Sequence, residues 1–308
     1  MMMKYSYLSD YPTVFLKMTG LMISEFDGLL SDVMPIYEQG EIARLEQGRP
    51  QRQRAIGGGQ SPELEGRAQI LLRVIWLRQY PTQDVLGYFF GVSQPTVSRY
   101  IERVLPVLEQ AGQDGMRLPD PGRKRRRHLD ALLRDTPGLI VVVDSFEQKV
   151  QRPKDATTRD EYYSGKKKTH TLKSQVVVDE DTGEIVEVAE SVVGPQADLK
   201  LLQQSGLLAR LPDGVGAGGD LAYVGIAKLH PLGVSPRRKP RGKPRPAEDA
   251  AYNTAFSRRR IVVEHSIGRL RRYQSLTQPD RNHRQHHTAR VRAVAGLANR
   301  QIRHRLIA

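Results

Sequence analysis

Three acidic residues occupy settings that suit a shared divalent-metal site. Asp144 follows the apolar run Leu139–Val143, Asp220 follows the glycine-rich segment GVGAGG, and Glu264 lies within the basic stretch SRRRIVVEHSIGRLRRY. A carboxylate at the end of a buried strand costs free energy unless a partner compensates its charge. Oxygen atoms of carboxylates and phosphates are the ligands that Mg²⁺ prefers. In a chain with a large positive excess, the three acids therefore predict Mg²⁺ ions held against nucleic-acid phosphates.

Each of these acids also has a simpler interpretation. Asp144 could cap the turn after its strand, and Asp220 could be an ordinary turn residue. Glu264 could form a helix-surface ion pair with Arg260, which precedes it by four residues. The expected fold favours the metal-site interpretation, because the strands before Asp144 and Asp220 are neighbours in it. Their acids can then converge, and a helix packed across the sheet can supply the third carboxylate.

The charge balance of the chain points to a polyanionic partner. Lys and Arg number 48 against 34 Asp and Glu in 308 residues, which gives a net charge of +14. Nucleic acid is the leading candidate and an anionic membrane surface is the second. No apolar run approaches the roughly 18–20 residues that span a bilayer, so we expect no membrane partner. The chain has no cysteine, which excludes disulfides and thiolate metal sites, and we expect a cytoplasmic, nucleoid-associated protein.

The hydrophobic pattern divides the chain into a helical part and a mixed part. Helical periodicity covers residues 8–47 and 64–110, with three successive glycines at 57–59 marking a loop between them. From residue 138 the pattern changes to β-branched runs, including two strands joined by the turn Asp181-Thr182-Gly183. We therefore predict an N-terminal helical domain, a basic linker and an α/β catalytic domain, at residues 1–118, 119–137 and 138–308.

The order of elements in the second part predicts its topology. An apolar strand is followed by a hairpin of two strands, an amphipathic helix, a short strand before Asp220 and a long helix that contains Glu264. Three antiparallel strands followed by a later parallel strand form a mixed sheet. This order is that of a ribonuclease H-like core. The strand expected after Asp220 is thin, because HPLGVSPRRK offers only Leu232 and Val234.

Residues 82–109 have the layout of a helix-turn-helix. Thr82 can cap the first helix, Gly91 supplies a tight turn, and Pro95 falls in the first turn of the second helix. In this motif the N-terminal face of the second helix enters the major groove of DNA. A plain three-helix bundle is the alternative, although the net charge and the Arg123–Arg127 run favour DNA binding. The predicted DNA contacts are Gln94, Thr96, Ser98 and Arg99.

Other polar clusters have two interpretations. Lys166, Lys167 and Lys168 can bind the DNA backbone or form a solvated charge run. Tyr162 and Tyr163 can stack on an unpaired base, although packing in the core is the favoured role. The histidine cluster HRQHH is interpreted as a polar turn, because its members lack metal-ligand spacing.

Several segments together carry a resemblance to a known family. They are QYPTQDVLGYFFGVSQPTVSRYIERVLPVL, VVVDSFEQKVQRP, YYSGKKKTHTLKSQVVVD, GGDLAYVG and NTAFSRRRIVVEHSIGRLRRY. They resemble DDE-type transposases of bacterial insertion sequences, in the group related to the Harbinger transposases. The resemblance spans nearly the whole chain and implies that Asp144, Asp220 and Glu264 are the catalytic, metal-binding acids. It also implies that Arg260, Glu264 and Arg271 fill the family's pattern of arginine, three residues, glutamate, six residues and a basic residue.

The resemblance implies a reaction and its partners. Two Mg²⁺ ions about 3.5–4 Å apart, or Mn²⁺ as a substitute, would support cleavage of a phosphodiester bond. The freed 3′-OH would then be transferred to target DNA, with Arg260 and Arg271 positioning phosphates. The expected partners are double-stranded DNA of the terminal inverted repeats and the target, with a homodimer or higher assembly on DNA. Two alternatives are a catalytically silent helix-turn-helix regulator and a ribonuclease H-like nuclease without strand transfer.

Overall fold

The computed structural model describes residues 3–47, 62–122, 133 and 136–307. The predicted glycine triplet at 57–59 and the Arg123–Arg127 run lie outside these residues. The first part of the chain is helical, as its periodicity predicts. Its helices are α1 (Tyr5–Ser9), α2 (Pro12–Thr19), α3 (Ile23–Gln47), α4 (Gly66–Gln79), α5 (Gln83–Phe90) and α6 (Gln94–Asp114).

Helices α5 and α6 form the helix-turn-helix, and the predicted local signals set its limits. The Thr82 side chain accepts a hydrogen bond from the Val85 N–H at 3.4 Å and caps α5. Gly91 ends α5 at φ +70°, a left-handed conformation that glycine adopts without strain. Pro95 lies in the first turn of α6, where its missing N–H costs little. The sequence therefore predicts both the turn and the start of α6 correctly.

The rest of the chain builds a mixed sheet with helices on both faces. Its strands are β1 (Ile140–Lys149), β2 (Tyr163–Ser164), β3 (Thr169–Asp179), β4 (Ile185–Val188), β5 (Val192–Val193), β6 (Gly216–Gly218) and β7 (Gly233–Val234). The helices are α7 (Ala156–Tyr162), α8 (Asp198–Gln204), α9 (Ile226–Leu229), α10 (Ala247–Leu270) and α11 (His287–Ile307). The sequence pattern does not predict α7. It predicts a single amphipathic helix over ADLKLLQQSGLLARL, whereas the structure divides this segment into α8 and a 3₁₀ helix, Leu207–Arg210.

The strand order is that of a ribonuclease H-like core. Strand β3 lies between β1 and β4 and is antiparallel to both, while β6 pairs parallel with β1 and β7 pairs parallel with β6. The antiparallel start and the later parallel strands confirm the predicted topology. Strand β7 has two residues, as the thin sequence after Asp220 predicts.

Alternation along β1 separates two apolar layers. Ile140, Val142 and Phe146 pack in the core shared with α10, α11 and the N-terminal helices. Leu139, Val141 and Val143 pack in a second core with side chains from α8 and the segment around β6. Because successive side chains of a strand point to opposite faces, Asp144 belongs to the α10 face and Ser145 to the α8 face.

Helix α11 joins the helix-turn-helix to the sheet. The Asn299 amide exchanges two hydrogen bonds with the main chain of Ile185, at 2.8 and 2.7 Å. At the start of α11, His287 is buried and bonds the Ser191 and Gln148 side chains at 2.8 and 2.9 Å. Burial, with Arg290 nearby, lowers the pKa of His287 to about 3. The interpretation of this cluster as a polar turn is therefore wrong for His287, because a structural hydrogen-bond network buries it.

None of the helices in the described ranges combines the length and the hydropathy needed to cross a bilayer.

Replacing a glycine at the crossing of α6 and α11 tests how tightly these helices are joined. A Cβ added at Gly296 would lie 2.5 Å from the Gly112 Cα, which is backbone and cannot move aside locally. We expect Gly296→Ala to lower the free energy of unfolding by about 1–3 kcal/mol, because the helices must separate. Chemical denaturation followed by circular dichroism measures this change.

Gly40→Ala is the matched control for this substitution. Gly40 lies inside α3, and a Cβ there would meet nothing within 4 Å. The control is expected to raise the free energy of unfolding by up to about 1 kcal/mol, because alanine favours helix over glycine. Equal stability of the Gly296→Ala and Gly40→Ala proteins would contradict a close helix crossing.

Candidate active site

Parallel pairing of β1 and β6 places the first two acids at matched positions. Val142 is paired with Gly218, and Asp144 and Asp220 each lie two residues farther along their chains. The two acids therefore lie at neighbouring positions of the sheet, as the expected topology predicts. The structure corrects one detail, since Asp144 does not end its strand. Strand β1 continues to Lys149, because β3 pairs with it along its polar second half.

Burial dominates the electrostatics of Asp144. Its side chain is 22% exposed, and its Oδ1 accepts a hydrogen bond from the Ser145 N–H at 2.7 Å. Burial raises the pKa of this carboxyl to about 6. The Ser145 N–H and Arg260 oppose the rise, while the neighbouring carboxylates of Asp220 and Asp198 add to it. Asp144 therefore carries a negative charge at neutral pH that its surroundings compensate incompletely.

Asp220 combines a turn role with proximity to Asp144. Its Oδ1 accepts a hydrogen bond from the Ala222 N–H at 2.8 Å and caps a 3₁₀ helix over Leu221–Tyr223. The preceding Gly219 has no space for a side chain, since a Cβ there would lie 2.4 Å from the Tyr223 ring. Asp220 therefore acts as a turn residue through Oδ1, as the simpler interpretation predicts. Its negative charge also raises the pKa of Asp144.

Arg260 lies between the first and third acids. Its Nη2 is 4.0 Å from Asp144 Oδ2 and 4.0 Å from Glu264 Oε1, so these two oxygens are at most twice 4.0 Å apart. The Arg260 side chain is 12% exposed, whereas the Glu264 side chain is 61% exposed. The Arg260–Glu264 ion pair expected as the simpler interpretation is present, but the same guanidinium also faces Asp144.

A further acid that sequence patterns did not single out lies on the α8 side of the site. Asp198 Oδ1 accepts a hydrogen bond from Ser145 Oγ at 2.5 Å and pairs with Lys173 Nζ at 3.1 Å. Lys173 is 6% exposed and also donates to the Gln196 carbonyl. Lys173 lies in the polar half of β3, between Leu172 and Ser174, so the sequence around it gives no signal of a buried acidic partner. The Asp198–Lys173 pair fixes Ser145, whose N–H in turn orients the Asp144 carboxylate.

The tyrosine that follows Asp220 closes the base of the same cluster. Tyr223 is fully buried, and its hydroxyl accepts a hydrogen bond from Gln175 Nε2 at 3.0 Å. Burial raises the pKa of Tyr223 well above its ordinary value, and the charges of Asp198 and Asp144 add to this effect. The phenol therefore stays neutral beneath the acids.

The four side chains of α6 that are predicted to contact DNA differ in how exposed they are. Gln94 and Arg99 are exposed and Ser98 is half-buried, so these side chains are accessible on α6. Thr96 is buried, and its hydroxyl is bonded to Ser93, Glu63 and Arg99. The expectation that Thr96 contacts DNA does not fit this structure, because its side chain ties the start of α6 to the chain before α4.

The other basic residues predicted to contact DNA lie on the surface. Lys166, Lys167 and Lys168 are exposed in the turn between β2 and β3, and Arg271 is exposed directly after α10. Tyr162 is half-buried beneath the Arg284 guanidinium, 4.6 Å from its ring centroid.

The aromatic neighbour of Tyr162 lies in a more open position. Tyr163 is 46% exposed, and the edge of its ring meets His170 at a centroid distance of 5.7 Å. Packing in the core, the favoured prediction for this pair, therefore fits Tyr162 better than Tyr163.

The donor set of the site fits a hard divalent cation. Asp144, Asp220 and Glu264 offer carboxylate oxygens, and burial, with smaller contributions from Asp220 and Asp198, raises the pKa of Asp144. In the described conformation the Arg260 guanidinium supplies the positive charge at this point. Within the described ranges, no three or more His, Cys, Asp or Glu side chains are gathered closely enough to hold one ion. In this conformation the Arg260 guanidinium lies between Glu264 and Asp144.

Comparisons with known proteins agree with this architecture. The family model described as "DDE superfamily endonuclease" matches residues 143–299, and the model described as "Helix-turn-helix of DDE superfamily endonuclease" matches residues 67–114. The chain is 30% identical over 244 residues to a "Probable transposase for insertion sequence element IS702" of Microchaete diplosiphon. That match covers 79% of this chain and 83% of the relative.

A solved structure described as "Mos1 transposase paired-end complex with left transposon end" is a more distant match. It is 14% identical, and the match covers 63% of this chain and 64% of that chain, with a TM-score of 0.20. At this TM-score the match carries no comparison of the two folds. The endonuclease model spans just over half of the present chain, however, and the IS702 relative matches most of it. The chain therefore belongs to the DDE superfamily endonucleases, as an insertion-sequence transposase of the DDE type with a helix-turn-helix.

Proposed function

We propose that this protein binds the ends of its element as double-stranded DNA, cleaves a phosphodiester bond there and transfers the freed 3′-OH to target DNA. The observation that supports this proposal best is the matched placement of Asp144 and Asp220, each two residues past the parallel pair of Val142 and Gly218. Glu264 completes the set from α10, where Arg260 links it to Asp144. Carboxylates in this number and chemistry suit cleavage assisted by Mg²⁺.

The residues of the chain have distinct roles in the proposed reaction. Asp144, Asp220 and Glu264 would hold Mg²⁺, with Mn²⁺ as a substitute. When bound, the metal supplies charge stabilisation on the phosphoryl oxygens and lowers the pKa of water. The Ser145 N–H keeps Asp144 Oδ1 in place. Arg260 would pair with a phosphate, because the planar guanidinium group matches phosphate oxygens in geometry and charge.

The basic surface supplies DNA affinity in this proposal. Gln94, Ser98 and Arg99 on α6 would contact the element end, while Lys166–Lys168 and Arg271 would contact its backbone. Strand transfer replaces one phosphodiester bond by another, so the reaction needs no nucleotide energy source. Joining two element ends to one target requires two active sites, and we therefore propose a homodimer or higher assembly on DNA.

Substitution of Asp144 tests the catalytic assignment. Asp144→Asn keeps the size and hydrogen bonding of the side chain but removes its charge. We expect Mg²⁺-dependent cleavage of element-end DNA to fall by more than about 100-fold, because a metal ligand is lost. DNA affinity is expected to stay within about threefold, since α6 is unchanged. Gel assays of cleavage and of binding measure the two effects.

Asp213→Asn is the control for this experiment, because Asp213 is an exposed acid in the loop before β6. Its cleavage rate is expected to match that of the wild type. Undiminished cleavage by Asp144→Asn would remove Asp144 from the catalytic set.

A precut labelled end offered together with a plasmid tests the second half of the reaction, the transfer of the 3′-OH to target DNA. Cleavage without a joined product would identify a nuclease instead of a transposase.

The raised pKa of Asp144 predicts how stability depends on pH without metal. Its folded value of about 6 lies above the ordinary 3.8, so protonated Asp144 stabilises the fold below about pH 4. This contribution is lost as the pH rises through 6. At pH 7 the Asp144→Asn protein is expected to be more stable than the wild type by the order of 1–3 kcal/mol. Urea denaturation at pH 4 and pH 7 measures the difference.

Addition of Mg²⁺ completes this stability test. The metal is expected to raise the Tm of the wild type and of Asp213→Asn at pH 7, and to raise that of Asp144→Asn much less. Parallel stability curves for wild type and Asp144→Asn from pH 4 to 7 would contradict the incomplete compensation of this carboxylate.

Substitution of Gln94, whose side chain is exposed, tests whether α6 recognises DNA bases. We expect Gln94→Ala to weaken binding to the element end by about 1–3 kcal/mol while leaving binding to unrelated duplex unchanged, because a glutamine reads bases through paired hydrogen bonds. Gln113→Ala, at the opposite end of the same helix, is the control and should leave both affinities unchanged. Fluorescence anisotropy with both duplexes measures the affinities, and an equal loss for both duplexes would assign Gln94 to the backbone.

A further inference from the structure

A basic cavity lies apart from the acidic site, where the helix-turn-helix faces the start of α11. It has a volume of about 790 Å³ and is bordered by α4, α6, the chain just after β1 and the segment between α10 and α11. Four arginines contribute to its wall, together with the acids Glu102, Glu109 and Asp280. These arginines are Arg73, Arg281, Arg284 and Arg290.

Arg73 is the least compensated of these arginines. It is 1% exposed, and its Nε and Nη1 have no hydrogen-bond partner among the described residues. Its guanidinium lies over the Trp76 ring, 4.4 Å from the ring centroid. Burial lowers the pKa of Arg73 to about 9, and repulsion from Arg290 adds to this effect. A buried donor without an acceptor costs free energy, so a role outside packing is expected for this side chain.

The acids around the cavity compensate Arg290 but not Arg73. Asp280 is buried, and its Oδ2 accepts a hydrogen bond from Arg290 Nη2, while its Oδ1 accepts the Asn282 N–H at 3.0 Å. Glu109 pairs with Arg292 at 3.1 Å. Glu102 is exposed at the mouth of the cavity. The interior of the cavity therefore retains an excess of positive charge.

Arg290 and the start of α11 add to this positive field. Arg290 is 1% exposed, and its Nε has no hydrogen-bond partner in the part of the chain that the structure describes. Residues of the first turn of α11, including Ala289, line the cavity, and this turn contains no acid. The N-terminal end of a 21-residue helix carries a partial positive charge. Two buried guanidinium groups and a helix end thus face one space.

We propose that this cavity binds a phosphate group. Guanidinium groups match phosphate oxygens in geometry and charge, and such an anion would supply the acceptors that Arg73 and Arg290 lack. A phosphate of the DNA backbone is the favoured source, because Ser98 of α6 and Gln83 line the cavity and Gln83 accepts a hydrogen bond from Gln94. The choice of DNA as the source rests on the proposed function, whereas phosphate binding itself does not.

Thermal unfolding with inorganic phosphate tests the site directly. Phosphate is expected to raise the Tm of the wild type above its value in chloride of equal ionic strength. The Arg73→Met protein should lose this shift. Its Tm without phosphate should equal or exceed that of the wild type, because an apolar side chain replaces an uncompensated buried charge. Arg67→Gln, an exposed position on the same helix outside the cavity, is the control and should keep the shift.

Two results of this experiment would overturn the proposal. One is a wild-type Tm that is the same in phosphate and chloride, and the other is a shift that persists in Arg73→Met. If Arg73→Met fails to fold, Arg284→Gln provides the second variant, since it changes a half-buried wall residue and leaves Arg73 in place. A phosphate shift in Arg284→Gln as large as in the wild type would then count against the site.

DNA titrations distinguish the source of the phosphate. If the source is the DNA backbone, Arg73→Met should reduce the slope of log K against log salt by about 0.9, while Arg67→Gln should not. A phosphate-dependent Tm with an unchanged slope would identify a free phosphate as the ligand. The phosphate shift is independent of cleavage and should survive in Asp144→Asn. Failure of the cavity proposal is therefore distinguishable from failure of the proposed catalytic function.

Discussion

The charge of Asp144 is the constraint on which the proposed active site depends. Strand β1 is central in the sheet and buries this carboxylate beside Asp220 and Asp198, which raises its pKa to about 6. The Arg260 guanidinium faces it at 4.0 Å, longer than a direct hydrogen bond. A partner at that distance compensates a buried charge only in part. The site therefore favours a cation that carboxylate oxygens can bind directly.

The fold fixes the elements that meet at this charge. Arg259, the neighbour of Arg260, is buried and donates to both oxygens of Glu180 at 2.6 Å and to the Thr136 hydroxyl at 2.9 Å. These bonds anchor α10 to the chain just before β1 and just after β3, which meet at one end of this antiparallel pair. The ion pair between Arg259 and Glu180 thereby holds the part of α10 that carries Arg260 and Glu264 over the sheet. On the opposite face, the Asp198–Lys173 pair holds Ser145.

Much of this arrangement can be predicted from local sequence signals. The Asp181-Thr182-Gly183 turn, the Thr82 cap and the order of strands follow from turn chemistry and hydrophobic periodicity, which act over a few residues. The second half of β1 cannot be predicted in this way. Its polar residues are typical of a loop, and only their pairing with β3 makes them part of a strand.

The misassigned side chains share a different physical cause. Helical spacing predicts an exposed Thr96, but contact with Glu63, which is distant in sequence, buries it. His287 and Asp198 likewise acquire their roles from tertiary contacts that no local pattern reveals. The proposed catalytic acids are predicted from several motifs together, whereas the position of Arg260 between Asp144 and Glu264 depends on how α10 packs on the sheet.

Diffraction from crystals soaked in Mn²⁺ would test the central claim most directly, because manganese gives an anomalous signal. The expected result is a manganese peak in contact with the carboxylates of Asp144 and Asp220, with the Arg260 guanidinium displaced from Asp144 and Glu264 drawn toward the ion. Crystals that show manganese elsewhere and leave Arg260 between Asp144 and Glu264 would contradict the assignment of these acids to one metal site.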